Sequence, residues 1–243
     1  GQVNPRAGYA AEQEFDRQWW SLAYKGEFSF GAISSSIAYV DTQNNGRTLP
    51  LSVAERLLLQ KMYDGTGKYE NMTEDQRRDL AEETFLPRPE RPLDSSQYTF
   101  DLRFDIPIDN LAGDHNLVLG MQAINGELKD GVFGLESGNA GAIQEQKMYS
   151  LFAEDNWMIT DKFTLTAGVR FDDHDVFGDQ TSPRIYAVYN INDNWTVKGG
   201  VSTGYKTPQT TDLYDGITGF GGQGTSPFAG NPALEPETSV NSE

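Results

Sequence analysis

Catalysis needs nucleophiles, imidazoles or gathered carboxylates, and this chain of 243 residues offers few of them. Cysteine is absent and the imidazoles are His115 and His174, which removes disulfides, thiol nucleophiles and cysteine metal sites together. A Ser-His-Asp arrangement would have to use His115, in a short turn, or His174, near a strand end, and neither has a G-x-S-x-G neighbour. The run Asp172-Asp173-His174-Asp175 with Asp179 could offer carboxylates to a hard divalent cation. It lacks the spacing of a calcium loop, and a solvated hairpin tip is the plainer reading. Glycines crowd the stretch from Gly216 to Gly230, with Gly219, Gly221, Gly222 and Gly224 around Phe220. That stretch has neither the lysine nor the preceding buried strand of a phosphate cradle, and it reads as a mobile external loop. The expectation is therefore a protein without catalytic residues, metal ligands or cofactor.

The elements that carry these residues announce themselves by period-two alternation, which places alternate side chains on opposite faces of a strand. In Tyr98 to Ile106 the apolar set is Tyr98, Phe100, Leu102, Phe104 and Ile106, against Thr99, Asp101, Arg103 and Asp105. Asn116 to Gly126 repeats the pattern. Tyr149, Leu151, Ala153 and Trp157 alternate with Ser150, Glu154 and Asn156, with Phe152 as an exception on the polar face. Leu165 to Phe171, Ile185 to Ile191 and Trp195 to Tyr205 continue it, and Asp16 to Phe30 with Ala32 to Asp41 reads as a further hairpin. The reading is roughly eight antiparallel strands, hence an all-β fold. No window approaches the 18 consecutive apolar residues of a membrane-crossing helix. A barrel strand shows lipid every second residue only, so a 37% hydrophobic content is compatible with a transmembrane barrel. The formal charge of -17 argues against nucleic acid, whose phosphates need a basic face.

Connections alternate in length. Turns after Phe28, Ile108, Ile159 and Ile191 are short, whereas Thr42 to Ser95, Asp130 to Gln146 and the stretch from Thr207 onward are long, with the link Gly178 to Ser182 as the exception. Outer-membrane barrels have this arrangement, short at the periplasm and long outside. In the first long loop, Leu51 to Tyr63 and Thr73 to Phe85 have helical spacing, and Thr73 to Gln76 fits a capping box. Leu86 to Pro92 cannot be helical, because its prolines remove donors and bias their predecessors toward extended geometry. Trp157 and Trp195 lie beside short turns, where amphipathic rings favour a membrane interface, and Trp19 and Trp20 are placed there too. A soluble antiparallel sandwich alternates equally well; turn asymmetry and the aromatic positions favour the barrel.

On a barrel, Arg103, Arg170, Arg184 and Lys198 would line the lumen, where ion-pair ladders with wall carboxylates are expected. Nearer the outer rim, Arg47, Arg88, Arg91, Tyr205, Lys206 and Tyr214 are the candidate ligand contacts. Their charge and rings suit an anionic, aromatic iron chelate.

The sequence Leu151 to Trp157, Leu165 to His174 and Phe177 to Arg184 resembles the barrel of TonB-dependent outer-membrane receptors. So do Val201-Ser202-Thr203-Gly204-Tyr205-Lys206-Thr207-Pro208, Leu213-Tyr214 and Gly230-Asn231-Pro232-Ala233-Leu234-Glu235-Pro236-Glu237-Thr238, in that order. The Thr42 to Arg47 strand end is similar to the subgroup that takes up ferric enterobactin and related catecholates. The resemblance implies part of one 22-stranded barrel domain over 1–243, with small helices in an external loop, and with plug domain and C-terminal strands outside the chain. It further implies a Gram-negative outer-membrane receptor that imports a ferric siderophore with TonB energy and breaks no bond. The partners implied are the ferric siderophore, the TonB complex through an N-terminal segment not in this chain, and outer-membrane lipid and lipopolysaccharide. Bacteriocins or phage are further candidates for such loops. Two alternatives stay open, a self-contained small outer-membrane barrel with a binding or structural role, and an outer-membrane hydrolase.

Overall fold

A computed structural model describes residues 12–221 and 226–243. The alternating segments become β1 (Glu14–Phe28), β2 (Gly31–Asn45), β3 (Leu93–Ile108), β4 (Asp114–Asp130), β5 (Ile143–Thr160), β6 (Phe163–His174), β7 (Gly178–Asn192) and β8 (Trp195–Lys206). A ninth wall strand, β11 (Glu237–Ser242), pairs with β8 after a long excursion. The sheet runs β1-β2-β3-β4-β5-β6-β7-β8-β11, every neighbour antiparallel, and β1 does not meet β11. The chain thus forms an open wall rather than a closed small barrel. The count of nine exceeds the expected eight because Pro232 and Pro236 end one segment and Thr238 and Val240 begin another strand. Gly178 to Ser182, expected as a link, belongs to β7, so the turn before it is shorter still. In place of a loop, the glycine-dense stretch folds as a two-stranded hairpin, β9 (Ile217–Gly221) with β10 (Ser226–Ala229). Gly222 and Gly224 lie outside the described residues.

Packing decides between sandwich and barrel. Among the described residues the buried apolar side chains are Leu49, Met62, Tyr69, Ala81, Phe85, Val118, Val132, Phe133 and Leu213, and of these only Val118 is on the wall. A sandwich must bury one whole sheet face against another layer, and among the described residues this sheet has no such layer. One face is polar: Asp101, Gln122, Ser150, Arg170 and Asp172 share a hydrogen-bonded row across β3 to β6. The other exposes Leu119, Leu151, Val169, Ile185 and Val197. Lipid is the solvent that such a face needs.

Aromatic rings bracket the apolar band. On the outward face of β5, Tyr149 and Trp157 are eight residues apart, and on β6 Phe171 and Phe163 repeat that interval. Eight residues span about 26 Å of strand, or roughly 20 Å of depth at a tilt of about 40°, close to the ~25 Å apolar band of outer-membrane barrels. The indole of Trp157 donates to the Ala112 carbonyl across the short turn at 3.0 Å and stacks on His115 with centroids 5.3 Å apart. Trp20 also faces outward, against Tyr39 and Tyr98. Trp19 does not: adjacent strand residues oppose one another, so it points to the lumen, a correction to the expected placement of both tryptophans in the lipid interface.

The long loop between β2 and β3 holds α1 (Val53–Asp64) and α2 (Glu74–Phe85). Ser52 and Thr73 each close a capping box, with Glu55 and Gln76 reaching back, and Gly65 ends α1 in the left-handed region that only glycine adopts freely. Met62, Tyr69, Ala81 and Phe85 make the helices' own small core. That core makes this loop a folded cap rather than a tether.

Candidate functional site

Three external segments knit together above the wall: 46–92, 131–142 and 207–221. The backbone N–H of Val53, at the start of α1, donates to the Glu136 carboxylate at 2.9 Å, where a helix N-terminus favours negative charge. Arg56 on the next turn donates to the Leu51 carbonyl and lies over the Phe220 ring at 4.3 Å. Phe133, wholly buried, stacks face to face on Tyr214 with centroids 4.2 Å apart. Val132, Glu136 and Tyr214 border a cavity of about 120 Å³ between the second and third segments.

The predicted rim residues divide by what their side chains touch. Arg88 is nearly buried, with its guanidinium paired to Glu55 at 2.9 and 3.1 Å and donating to the Leu49 and Pro50 carbonyls. It clamps α1 to the proline-rich segment. Arg91 forks onto Asp130 at 2.7 and 2.6 Å, joining the start of β3 to the end of β4. These two hold the rim together. Arg47 has no ion pair among the described residues, and its carbonyl accepts from the Arg91 backbone at 3.0 Å. Lys206 is exposed at the end of β8, while the Tyr205 hydroxyl rests 3.8 Å from the Met148 sulfur on the lumen side. Tyr214 is fixed by Phe133. Arg56, Phe133 and Phe220 escape sequence reasoning because their contacts join distant loops with no shared period.

Burial pushes the Glu55 carboxyl up, but hydrogen bonds and charge from Arg88, with hydrogen bonds to Ser52, outweigh it and hold the group below its ordinary value. A carboxylate depressed in the fold contributes stability above its unfolded pKa of about 4.3, and that contribution is lost as pH falls through the folded value. Acidification below about pH 4 is therefore expected to loosen α1 before the wall. Amide hydrogen exchange should show α1 losing protection first; earlier loss in β4 or β5 would contradict the assignment.

The other chemistry expected of the sequence has structural explanations. His115 Nδ1 lies 2.7 Å from Asp155 and Nε2 lies 2.9 Å from the Leu111 carbonyl, so both nitrogens face acceptors and no nucleophile is near. The Asp172 to Asp179 run is not gathered: Asp172 points into the wall network, Asp173 sits opposite Tyr149 and Asp175 accepts from the Lys147 backbone. No group of three or more metal-ligating side chains occurs among the described residues. The lumen ladders form as expected for three of the four cations: Arg103 with Asp105, Arg170 with Asp172, and Arg184 with Glu154. Lys198 joins none among the described residues.

Comparison with known proteins agrees with this architecture. The family described as "TonB dependent receptor-like, beta-barrel" matches residues 1–243. The "Iron-regulated outer membrane virulence protein" of Vibrio cholerae is 37% identical over 131 residues, covering 54% of this chain and 20% of that protein. The "Ferric enterobactin receptor" of Pseudomonas aeruginosa is 28% identical over 239 residues, covering 93% of this chain and 30% of that one. Among solved structures, a mutant of the P. aeruginosa ferric enterobactin receptor in complex with enterobactin superposes with a TM-score of 0.68 at 25% identity, covering 95% of this chain and 32% of that chain.

Proposed function

Because the chain belongs to the TonB-dependent receptor-like β-barrel family of the outer membrane, we propose that it forms wall and external rim of a receptor that captures a ferric siderophore of the catecholate class and imports it with energy from TonB. The observation that carries this reading is the rim itself. Arg47 and Lys206, which have no ion pair among the described residues, stand with the Arg56–Phe220 contact and the partly exposed Tyr214 above a wall whose inner face is polar. Such a surface suits a negatively charged chelate that carries aromatic rings, by charge and stacking. The names of the P. aeruginosa and V. cholerae relatives support it. The chain spans 20–30% of those two relatives, so transport is a property proposed for the whole receptor.

The function requires no chemical step. Binding energy at the rim need only hold the chelate over the lumen until a plug element moves. Full-length receptor in outer-membrane vesicles is expected to bind ferric enterobactin tightly, and cells lacking TonB should keep the binding and lose the uptake. Absence of binding to any ferric catecholate would refute the ligand class, and uptake that persists without TonB would refute the energy source.

A further inference from the structure

β6 ends at His174, beyond the Phe171 border of the apolar band, and a turn of Asp175, Val176 and Phe177 leads into β7 at Gly178. The imidazole is 3% exposed. It belongs to the inward row of Arg170 and Asp172, with Met148 of β5 and Gly178 of β7 as its strand partners. The Phe177 ring stands against it, with centroids 4.7 Å apart.

The two ring nitrogens are unequally served. The Val176 backbone N–H donates to Nδ1 at 3.1 Å, so the single ring proton of the neutral form is on Nε2. There it meets no acceptor among the described residues. A carboxylate oxygen, Asp175 Oδ1, also lies 3.1 Å from Nδ1. Nδ1 therefore has a donor and an acceptor at equal distance, and its protonation decides which of them it can use. Unprotonated, it accepts from Val176; protonated, it meets the Val176 N–H donor to donor and can bond only Asp175. Asp175 is fixed in place, because its backbone N–H donates to the Lys147 carbonyl at 3.0 Å and its Oδ2 accepts from the Lys147 N–H at 2.9 Å. The other charges around the ring are engaged or turned away. Asp172 is held by Arg170 and Ser150, Asp173 points outward between Tyr149 and Asp179, and Lys147 pairs with Glu145 in that outward row. Tyr205, whose hydroxyl reaches the Met148 sulfur, is a phenol that keeps its proton near neutral pH.

We propose that the β6–β7 turn is an acid-opened latch: protonation of His174 moves its Nδ1 hydrogen bond from the Val176 N–H to the Asp175 carboxylate and frees Val176 and Phe177. Moving Phe177 off the ring also lets water reach Nε2, a partner that the closed turn denies it. Burial holds the closed imidazole below its ordinary value, against the pull of Asp175 and Asp173. A histidine so depressed stabilises the closed turn in full above the open-form pKa of about 6.5, and that stability is lost as pH falls below it. The outer edge of the wall at β6–β7 thus loosens in a mildly acidic medium, well above the range that titrates Glu55.

Amide hydrogen exchange of the refolded full-length receptor at pH 7.5 and 5.5, corrected for intrinsic exchange rates, tests the latch. Heat-modifiable gel mobility confirms that each variant is folded. Protection of the segment holding Val176 and Phe177 is expected to fall about tenfold, the ratio for an open-form pKa of about 6.5 and no proton on Nδ1 in the closed form. Leu165 to Val169 within β6 should keep theirs. His174→Asn, which retains an acceptor oxygen near the place of Nδ1 and does not titrate, should abolish the pH dependence. Asp175→Asn should shrink it, because the open form then has no carboxylate to hold the Nδ1 proton, and this variant decides the outcome if His174→Asn does not fold. Unchanged protection of the wild-type turn would overturn the proposal, as would an undiminished fall in either variant. An equal fall throughout β6 would overturn it too, since that is loosening of the whole wall rather than of a latch.

Discussion

Replacing Arg170 with alanine is expected to destabilise the barrel by about 2–4 kcal/mol, less than the cost of breaking a fully buried pair because its side chain is partly exposed while Asp172 is buried. Arg170 is the hub of the lumen row. Its Nε donates to Asp172 at 2.8 Å, and its Nη2 donates to Ser150 at 2.8 Å and to Gln122 at 3.0 Å. Gln122 in turn donates to Asp101 at 2.8 Å, so one guanidinium ties β3, β4, β5 and β6. Asp172 is 1% exposed. Without the arginine it would keep the Ser150 hydroxyl at 2.5 Å and lose its countercharge. Denaturant unfolding of the refolded receptor in detergent measures the loss. Arg170→Lys should fall between, since an ammonium keeps the charge but cannot fork. A double replacement, Arg170→Met with Asp172→Leu, should recover part of the stability, because an apolar pair leaves no uncompensated charge. A single-variant loss under about 1 kcal/mol would show that water, not Arg170, solvates Asp172.

The same network explains Phe152, the exception to the alternation of β5. Phe152 sits on the polar face because the Arg170 guanidinium lies over its ring, 5.9 Å from the centroid, and because Gly120 on the neighbouring strand leaves room beneath it. A Cβ added at Gly120 would stand 2.2 Å from the Phe152 ring and 2.8 Å from the Leu102 carbonyl. An aromatic ring in a polar row is thus a packing arrangement between a glycine and a cation.

What the sequence made legible follows from range. Period two is local, so the strands, their faces and the short turns could be read directly, as could the capping box at Thr73. The register between strands is not local. It decides which of Trp19 and Trp20 faces outward, by setting Trp20 opposite Tyr39, and it brings Asp155, an acid in an otherwise apolar outward row, opposite Leu117 and beside His115. The rim was the least legible part. Arg88 and Arg91 lie in the external segment before β3, but their type and position could not say that Glu55 and Asp130 would occupy them. Those partners come from elements far along the chain. Arg56 carried no distinguishing signal within its helix, since Phe220 lies in another loop.

Introducing arginine at Val169 is expected to cost about 1–3 kcal/mol, the penalty of a cation on a barrel's lipid face between the bilayer midplane and the interface, whereas arginine at Ser36 should cost less than about 1 kcal/mol. The two sites differ mainly in the medium they face. Val169 is half exposed and sits in an outward row with Ala153, Leu119 and Phe104, between the rings of Phe171 and Phe163, with no acid opposite it. Ser36 is on the inward face of β2, directly opposite Asp101, where a guanidinium finds both water and a carboxylate. If both faces of this wall met water, as in a soluble sandwich with an exposed sheet, the two substitutions would cost alike. Refolding into lipid bilayers with urea titration separates the cases. Val169→Arg folding as stably as Ser36→Arg would place water on the Leu119, Leu151 and Val169 face, and the nine-stranded sheet would then have to be covered by protein rather than by membrane. A cost that fell for arginine at Tyr149, at the aromatic border, would map the depth of the band residue by residue, because the penalty decays toward the interface.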